Sequence, residues 1–184
     1  MTQSLSQRAT AAIKKPPQKA THPNPKTHPR SQAYPPVIQN LRRPDFFNTE
    51  AYRKQKYRAN WTGVDVDLRA WCNAFLRELD MYGIPAFAHN AMRTDAEQLA
   101  LFKKGVSKIS GRGAHGNGQA VDIIHSTLAW DGMTSKDWKL FGDMGKDIAA
   151  RRNFRLTWGG DFRSFYDPAH WEITDWRNRK PKLL

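Results

Sequence analysis

Two histidines and one aspartate have the side-chain types and surroundings that a metal site requires. His115 is followed by Gly116 and Gly118, which let the backbone turn sharply, and Asp122 comes next in a β-prone run. His170 opens another β-prone run further along the chain. A catalytic zinc site uses three protein ligands, His and Asp among them, and keeps a fourth position for water. The sequence therefore predicts a Zn²⁺ site formed by His115, Asp122 and His170.

A further carboxylate, Asp167, lies three positions before His170. It could accept a proton from a water molecule that the metal activates. Each signal is weak alone, because a single His near a Gly is usually an ordinary surface or core residue. Together they supply three ligands and a base, which predicts hydrolytic chemistry. His125, close behind Asp122, is a reserve ligand candidate.

The stretches between these side chains predict the elements that position them. Apolar residues recur at three- and four-residue spacing over residues 64–82, which indicates an amphipathic helix. Thr94 and Glu97 have the spacing of a capping box, so a second helix should start there. The other predicted elements are a helix from Ser135, strands at 84–92, 119–125, 154–157 and 170–174, and a loop at 106–118. The expected fold class is α+β, with helices packed on a small antiparallel sheet in a single domain.

The charge of the chain is unevenly distributed. Lys and Arg number 30 against 17 Asp and Glu, a net charge of +13 that favours an anionic partner. Residues 1–44 hold eight basic residues, eight of the 11 prolines and no acidic residue. This composition predicts a disordered basic tail at 1–44 and a folded domain at 45–184. The tail could merely aid solubility, adhere to an anionic envelope polymer or nucleic acid, or serve as an organellar transit peptide.

Two classes of structure are not expected. Cys72 is the single cysteine, so no intrachain disulfide can form. There is no apolar run long enough for a transmembrane helix, and the N-terminus lacks the apolar stretch of a secretory signal. If the protein acts outside the cytoplasm, we expect another agent to release it.

Four ordered blocks of the sequence resemble the VanY-type zinc peptidases. This family includes D-alanyl-D-alanine carboxypeptidases and the L-alanyl-D-glutamate endopeptidases that phages use as endolysins. The resemblance covers roughly residues 64–175. The blocks are Arg93-Thr94-x-x-x-Gln98, His115-x-x-Gly-x-Ala-x-Asp122, Trp158-Gly-Gly-Asp161-Phe162 and Asp167-x-x-His170-Trp171-Glu172.

The resemblance implies a role for each matching residue. His115, Asp122 and His170 match the zinc ligands, and Asp167 matches the catalytic carboxylate. Arg93 matches an arginine that faces the substrate carbonyl. Gly113 departs from the family, which often has Ser at that position, so the resemblance does not carry over one contact to the substrate or to a ligand's neighbour, whereas the metal site is unaffected.

The expected function is that of an endolysin-type L-alanyl-D-glutamate endopeptidase acting on peptidoglycan stem peptides. The turn at 158–162 resembles the endolysin branch, and the missing secretory signal favours it. Such an enzyme would stay in the host cytoplasm until a pore released it to the cell wall, and it could also travel in a virion. The alternatives are a D-alanyl-D-alanine carboxypeptidase and a non-catalytic module that binds cell wall or, less favoured, nucleic acid.

Overall fold

The computed structural model describes residues 35–108 and 110–183. Three single-turn 3₁₀ helices, Pro44–Asn48, Gly159–Asp161 and Trp176–Asn178, accompany the main elements. The main elements, in chain order, are α1 Pro36–Leu41, α2 Glu50–Gln55, α3 Val66–Met81, β1 Ala86–Asn90, α4 Asp95–Lys103, β2 Ala120–His125, α5 Ser135–Arg151, β3 Leu156–Trp158 and β4 His170–Ile173. The predicted helices and strands are all present, with ends that differ by a few residues.

The four strands form one antiparallel sheet in the order β1-β2-β4-β3. The central strands β2 and β4 are aligned so that Asp122 stands opposite His170. On the other side of β2, Asn90 of β1 stands opposite the same Asp122. Helices around a small antiparallel sheet are the expected α+β class, and this prediction is confirmed.

Helices α3 and α5 pack on one face of this sheet. Trp171 of β4 contacts the rings of Trp71 and Phe75 on α3, with centroids 4.8 Å and 5.8 Å apart. Helix α5 approaches closely through Gly145, where an added Cβ would overlap the Trp171 ring. Successive strand residues point to opposite faces, so the neighbours of buried Trp171 in sequence, His170 and Glu172, lie on the other face.

Helix α4 starts as its sequence predicts. The Thr94 hydroxyl accepts from the Glu97 backbone N–H, and the Glu97 carboxylate accepts from the Thr94 backbone N–H, which confirms the capping box. The Glu97 carboxylate accepts from both the backbone N–H and the hydroxyl of Thr94, and these two bonds hold its pKa below its ordinary value. The cap fixes where the chain leaves β1 and enters α4, and Arg93 sits at that point.

The folded part of the chain begins earlier than the expected boundary at residue 45. Ile38 and Leu41 of α1 are buried in the main hydrophobic core. The Leu41 carbonyl also accepts a hydrogen bond from His125 Nε2 at 2.8 Å. One six-residue helix within a proline-rich basic stretch gives too short an apolar pattern to detect, so residues 36–44 were wrongly included in the tail. The rest of the predicted tail, residues 1–34, lies outside the described residues.

Free Cys72 is fully buried in α3, as expected for a core residue. Burial raises the pKa of its thiol to about 12, which suits an apolar packing role. None of the helices within 35–108 and 110–183 has the length and apolar character needed to cross a membrane.

Candidate metal centre

The candidate metal centre is built on the sheet face opposite α3 and α5. Directly paired residues of antiparallel strands present their side chains on the same face, so Asp122 and His170 are adjacent. His115 comes from the turn that leads into β2, and its carbonyl accepts hydrogen bonds from the backbone N–H groups of Gly118 and Arg93. Gly118 adopts a φ of +67°, and an added Cβ would overlap the Gly63 carbonyl oxygen. The turn therefore needs glycine there, as the His-x-x-Gly pattern suggested.

Three potential ligand atoms converge at one point. His115 Nε2 lies 3.1 Å from Asp122 Oδ1, and His170 Nδ1 lies 3.2 Å from each of these two atoms. Two ligands of one tetrahedral zinc ion, each bonded at about 2.1 Å, are roughly 3.4 Å apart. All three side chains are buried, and together they could hold a metal ion.

Each imidazole is fixed so that its remaining nitrogen can act as a ligand. His115 Nδ1 donates to the Ala91 carbonyl at 2.8 Å, which leaves a lone pair on Nε2. His170 Nε2 donates to Glu172 Oε2 at 3.1 Å, so in the neutral ring the lone pair is on Nδ1. Metal-bound histidines usually make such a second hydrogen bond to a carbonyl or carboxylate, because it sets the tautomer and the ring orientation.

The electrostatics of the three residues favour a cation at this point. Burial alone would raise the pKa of Asp122, but the charge and hydrogen bond of His115, with those of His170, hold it well below its ordinary value. Burial would lower the pKa of His170, but its bonds to Asp122 and Glu172 raise it to about 10. The cluster thus holds an ionised carboxylate and attracts a proton, which a metal ion would displace on binding.

Arg93 lies next to this cluster. Its Nη2 is 3.7 Å from Asp122 Oδ2, and its Nη1 donates to Gln98 Oε1 at 2.8 Å. With its amide oxygen turned toward Arg93, Asn90 accepts from Nε at 3.2 Å and from Nη2 at 2.6 Å. Gln98 Nε2 in turn donates to Ser107 Oγ at 2.8 Å. The residues of the Arg93…Gln98 block therefore hold the Arg93 guanidinium in place beside Asp122.

Asp167 is held in a tight turn just before His170. Its backbone N–H donates to the Gly159 carbonyl at 3.2 Å, and its own carbonyl accepts from the His170 N–H at 3.1 Å. An added Cβ at Gly159 would overlap the Asp167 carbonyl oxygen, and Trp158 Nε1 donates to Pro168 O at 2.8 Å. The Trp158-Gly-Gly block thus supports the turn that carries Asp167.

The Asp167 carboxylate lies within the electrostatic influence of the cluster. Burial, and then the negative charge of Asp122, raise its pKa, while the charges of His170, His115 and Arg93 oppose that rise. A half-buried carboxylate with a raised pKa is suited to exchange a proton with a reacting molecule.

Sequence analysis did not identify Glu172 and Asn90 as residues of the centre, and it kept His125 as a reserve ligand, which the structure places elsewhere. Glu172 follows His170 by two positions, so strand periodicity alone could have placed it on the same face. Asn90 reaches Asp122 because β1 has an irregularity between Ala88 and Asn90, which no sequence pattern reveals. His125 has the opposite strand parity to Asp122, and it bonds Leu41 O and the backbone N–H groups of the following turn instead.

The fold and the cluster together define an α+β domain with a candidate three-ligand metal centre. No known family model matches the chain. Among solved structures, the fold is similar to the crystal structure of the Serratia marcescens L-Ala D-Glu endopeptidase ChiX, with a TM-score of 0.54 and 20% sequence identity. The match covers 67% of this chain and 90% of that one, so the two share most of one fold.

Proposed function

We propose that this chain is a zinc-dependent peptidase of the VanY type that hydrolyses peptidoglycan stem peptides between L-alanine and D-glutamate. The observation that carries the proposal is the convergence of His115 Nε2, Asp122 Oδ1 and His170 Nδ1, which are 3.1 to 3.2 Å apart. Two imidazole nitrogens and a carboxylate oxygen that face one point at these distances match the donor set and the spacing of ligands around a shared cation.

Zinc fits this donor set better than other common metals. Mg²⁺ and Ca²⁺ take oxygen ligands, whereas two imidazole nitrogens with one carboxylate oxygen suit zinc. Three protein ligands also leave the open position that distinguishes a catalytic zinc site from a structural one. When bound, zinc would polarise the substrate carbonyl and lower the pKa of water to about 7.

The protein side chains supply the proton transfer and charge stabilisation. Asp167 would accept a proton from the attacking water and pass it to the departing amine. Arg93, held by Gln98 and Asn90, would donate to the substrate carbonyl oxygen as negative charge builds there. Loss of one such pre-placed donor typically costs about 3 kcal/mol of transition-state stabilisation.

Two lines of support point to the L-alanyl-D-glutamate bond. The four sequence blocks resemble a family that includes endopeptidases of this kind, and each block has a structural part in the centre. The similar fold belongs to a protein that is named as an L-Ala D-Glu endopeptidase. This bond occurs in the stem peptides of bacterial cell walls, which are therefore the substrate to test.

Metal analysis combined with muropeptide mapping tests this proposal. We expect the purified chain to hold one zinc ion and to release muropeptides that end in L-alanine. A chelator should abolish this activity, and added zinc should restore it. Activity that persists after verified zinc removal would contradict the metal assignment. Loss of a terminal D-alanine alone would instead assign a carboxypeptidase.

We also propose that the basic N-terminal segment attaches the enzyme to an anionic envelope polymer. The segment has no acidic residue over positions 1–44. Attachment by charge weakens with salt, because the screening length is only about 8 Å at physiological ionic strength. Removal of residues 1–34 should reduce wall binding at low salt while cleavage of a small soluble peptide stays unchanged. Equal wall binding by the two forms would reject this role.

A further inference from the structure

An open pocket of about 540 Å³ lies beside the loop that leads to His115. Its lining includes three basic side chains, two aromatic rings and one glycine of that loop, namely Lys108, Arg112, Arg177, Phe102, Trp176 and Gly113. We call this the basic pocket. None of the lining residues that the structure describes is acidic, so the pocket has the electrostatic character of an anion site.

Two of the three basic side chains of the basic pocket, Arg177 and Arg112, have contacts within the protein. The Arg177 guanidinium lies over the Trp176 ring, 4.4 Å from its centroid, so the ring fixes one side of the pocket. Trp176 itself is buried, and within the described ranges its Nε1–H has no hydrogen-bond acceptor. Arg112 pairs with Asp95 at 3.5 Å, and both of these side chains are more than half exposed. An exposed pair of this kind contributes little, so Arg112 keeps much of its capacity to attract an anion.

The basic pocket adjoins the metal centre through the loop. Gly113 lines the pocket and is two residues from His115, a span of at most about 7 Å. The aliphatic stem of Arg112 lies against Gly116, where an added Cβ would come within 2.6 Å of Arg112 Cγ. A peptide whose scissile bond lies at the metal centre could therefore extend into the pocket within a few residues.

We propose that the basic pocket binds the carboxylates of the substrate on the D-glutamate side of the cleaved bond. This inference rests on the proposed function. In a stem peptide, D-glutamate continues the chain through its side-chain carboxyl group, so its α-carboxylate is free. Residues further along can add more carboxylates. The pocket offers cations to these groups and aromatic surface to the alkyl parts between them.

Paired changes in protein charge and substrate charge test this inference. The substrates are a synthetic stem peptide with free carboxylates on the D-glutamate side and the same peptide with those groups converted to amides. The variant is Lys108→Gln/Arg177→Gln, which removes two exposed charges from the pocket. Lys136→Gln/Arg152→Gln is the matched control, because it also removes two exposed charges, from the two ends of α5, across the sheet from the metal centre.

We expect the pocket variant to raise KM for the acidic peptide by about fivefold to tenfold, with kcat nearly unchanged. The amidated peptide should show little change, and the control variant should behave as the wild type with both peptides. The effect should shrink as salt rises. An equal rise in KM for both peptides, or none for the acidic one, would overturn the inference.

A binding measurement separates this inference from the proposed function. If the wild-type chain cleaves neither peptide, the proposed function fails. Calorimetry with the acidic peptide that begins at D-glutamate then decides the pocket's role without turnover. Binding that weakens in the pocket variant but not in the control supports the pocket. Absent binding, or equal binding in the wild type and the pocket variant, overturns it.

Discussion

The two faces of the sheet place different kinds of residue on the same strands. Toward α3 and α5, β4 presents Trp171 and Ile173, which are buried, and Trp171 contacts the aromatic rings of α3. Toward the other face, the same strand presents His170 and Glu172, which hydrogen-bond each other. Because side chains alternate along a strand, core residues and residues of the candidate metal centre are neighbours in sequence. We call the face toward α3 and α5 the covered face and the face with the metal centre the open face. Changes on the open face should lower activity with little loss of stability, and changes on the covered face should lower stability with little effect on the metal centre.

His125 of β2 and His170 of β4 also differ in role, one being structural and the other a ligand candidate. His125 uses both ring nitrogens on backbone groups, because Nε2 donates to Leu41 O and Nδ1 accepts from the Thr127 and Leu128 N–H groups. His170 uses only Nε2 on its supporting partner Glu172 and directs Nδ1 at the cluster. A histidine with both nitrogens bonded to backbone groups has a structural role, whereas one with a nitrogen directed at the other side chains of a cluster is a ligand candidate.

The largest effect is expected from the open face, at Asp122. Asp122→Ala removes the carboxylate that lies between both imidazoles, so zinc should be lost and cleavage should fall by at least about a thousandfold. The far-ultraviolet circular dichroism should stay that of the wild type. Metal content and muropeptide release are the measurements. A variant that keeps its zinc and its activity would show that the cluster is not the metal centre.

The next effect separates metal binding from proton transfer. Asp167→Asn keeps the size of the side chain but removes its ability to accept a proton, so kcat should fall by about 10²- to 10⁴-fold. Zinc content should stay at the wild-type level, because Asp167 is not among the three converging groups. Loss of zinc in this variant would give Asp167 a ligand role instead.

A change at Glu172 tests whether a residue that only orients a ligand affects metal affinity. Glu172→Gln weakens the hydrogen bond that orients His170, so zinc affinity should fall by about 10- to 100-fold. A competition titration with a chromophoric chelator measures this. At saturating zinc, most of the activity should return, whereas in Asp122→Ala it should not. An unchanged affinity would mean that Glu172 does not position His170.

On the covered face, Gly145→Ala should lower stability without touching the metal centre. The new methyl group would overlap the Trp171 ring, and overpacking of this kind costs about 1 to 3 kcal/mol. Denaturant unfolding measures the loss, and zinc content should not change. Gly111→Ala is the matched control, because an added Cβ there meets no atom within 4 Å. Equal stabilities of the two variants would contradict the close packing of α5.

Local sequence signals predicted much of this arrangement, and the exceptions have physical reasons. The helix at 64–82 is observed as Val66–Met81, and the Thr94–Glu97 cap forms, because both depend on contacts within a few residues. The three candidate ligands were predicted from their residue types in combination and from the family resemblance, and the structure brings their side chains together. Helix α1 was missed because it depends on a distant core, and Asn90 was missed because strand register is not a local property.

The smallest effect is expected at His125, which has a structural role. Burial lowers the pKa of His125 from about 6.5, and the charge of Arg43 adds to this, while the Leu41 carbonyl and Asp137 oppose it. Below about pH 6.5 the unfolded chain therefore binds a proton that the folded chain does not, so this residue makes stability fall as pH falls. His125→Gln should remove that part of the slope. Unfolding of the zinc-loaded wild type and variant between about pH 5 and 7 measures it, because the other titrating groups are common to the two proteins. Parallel stability curves for the two proteins would contradict a neutral, buried His125.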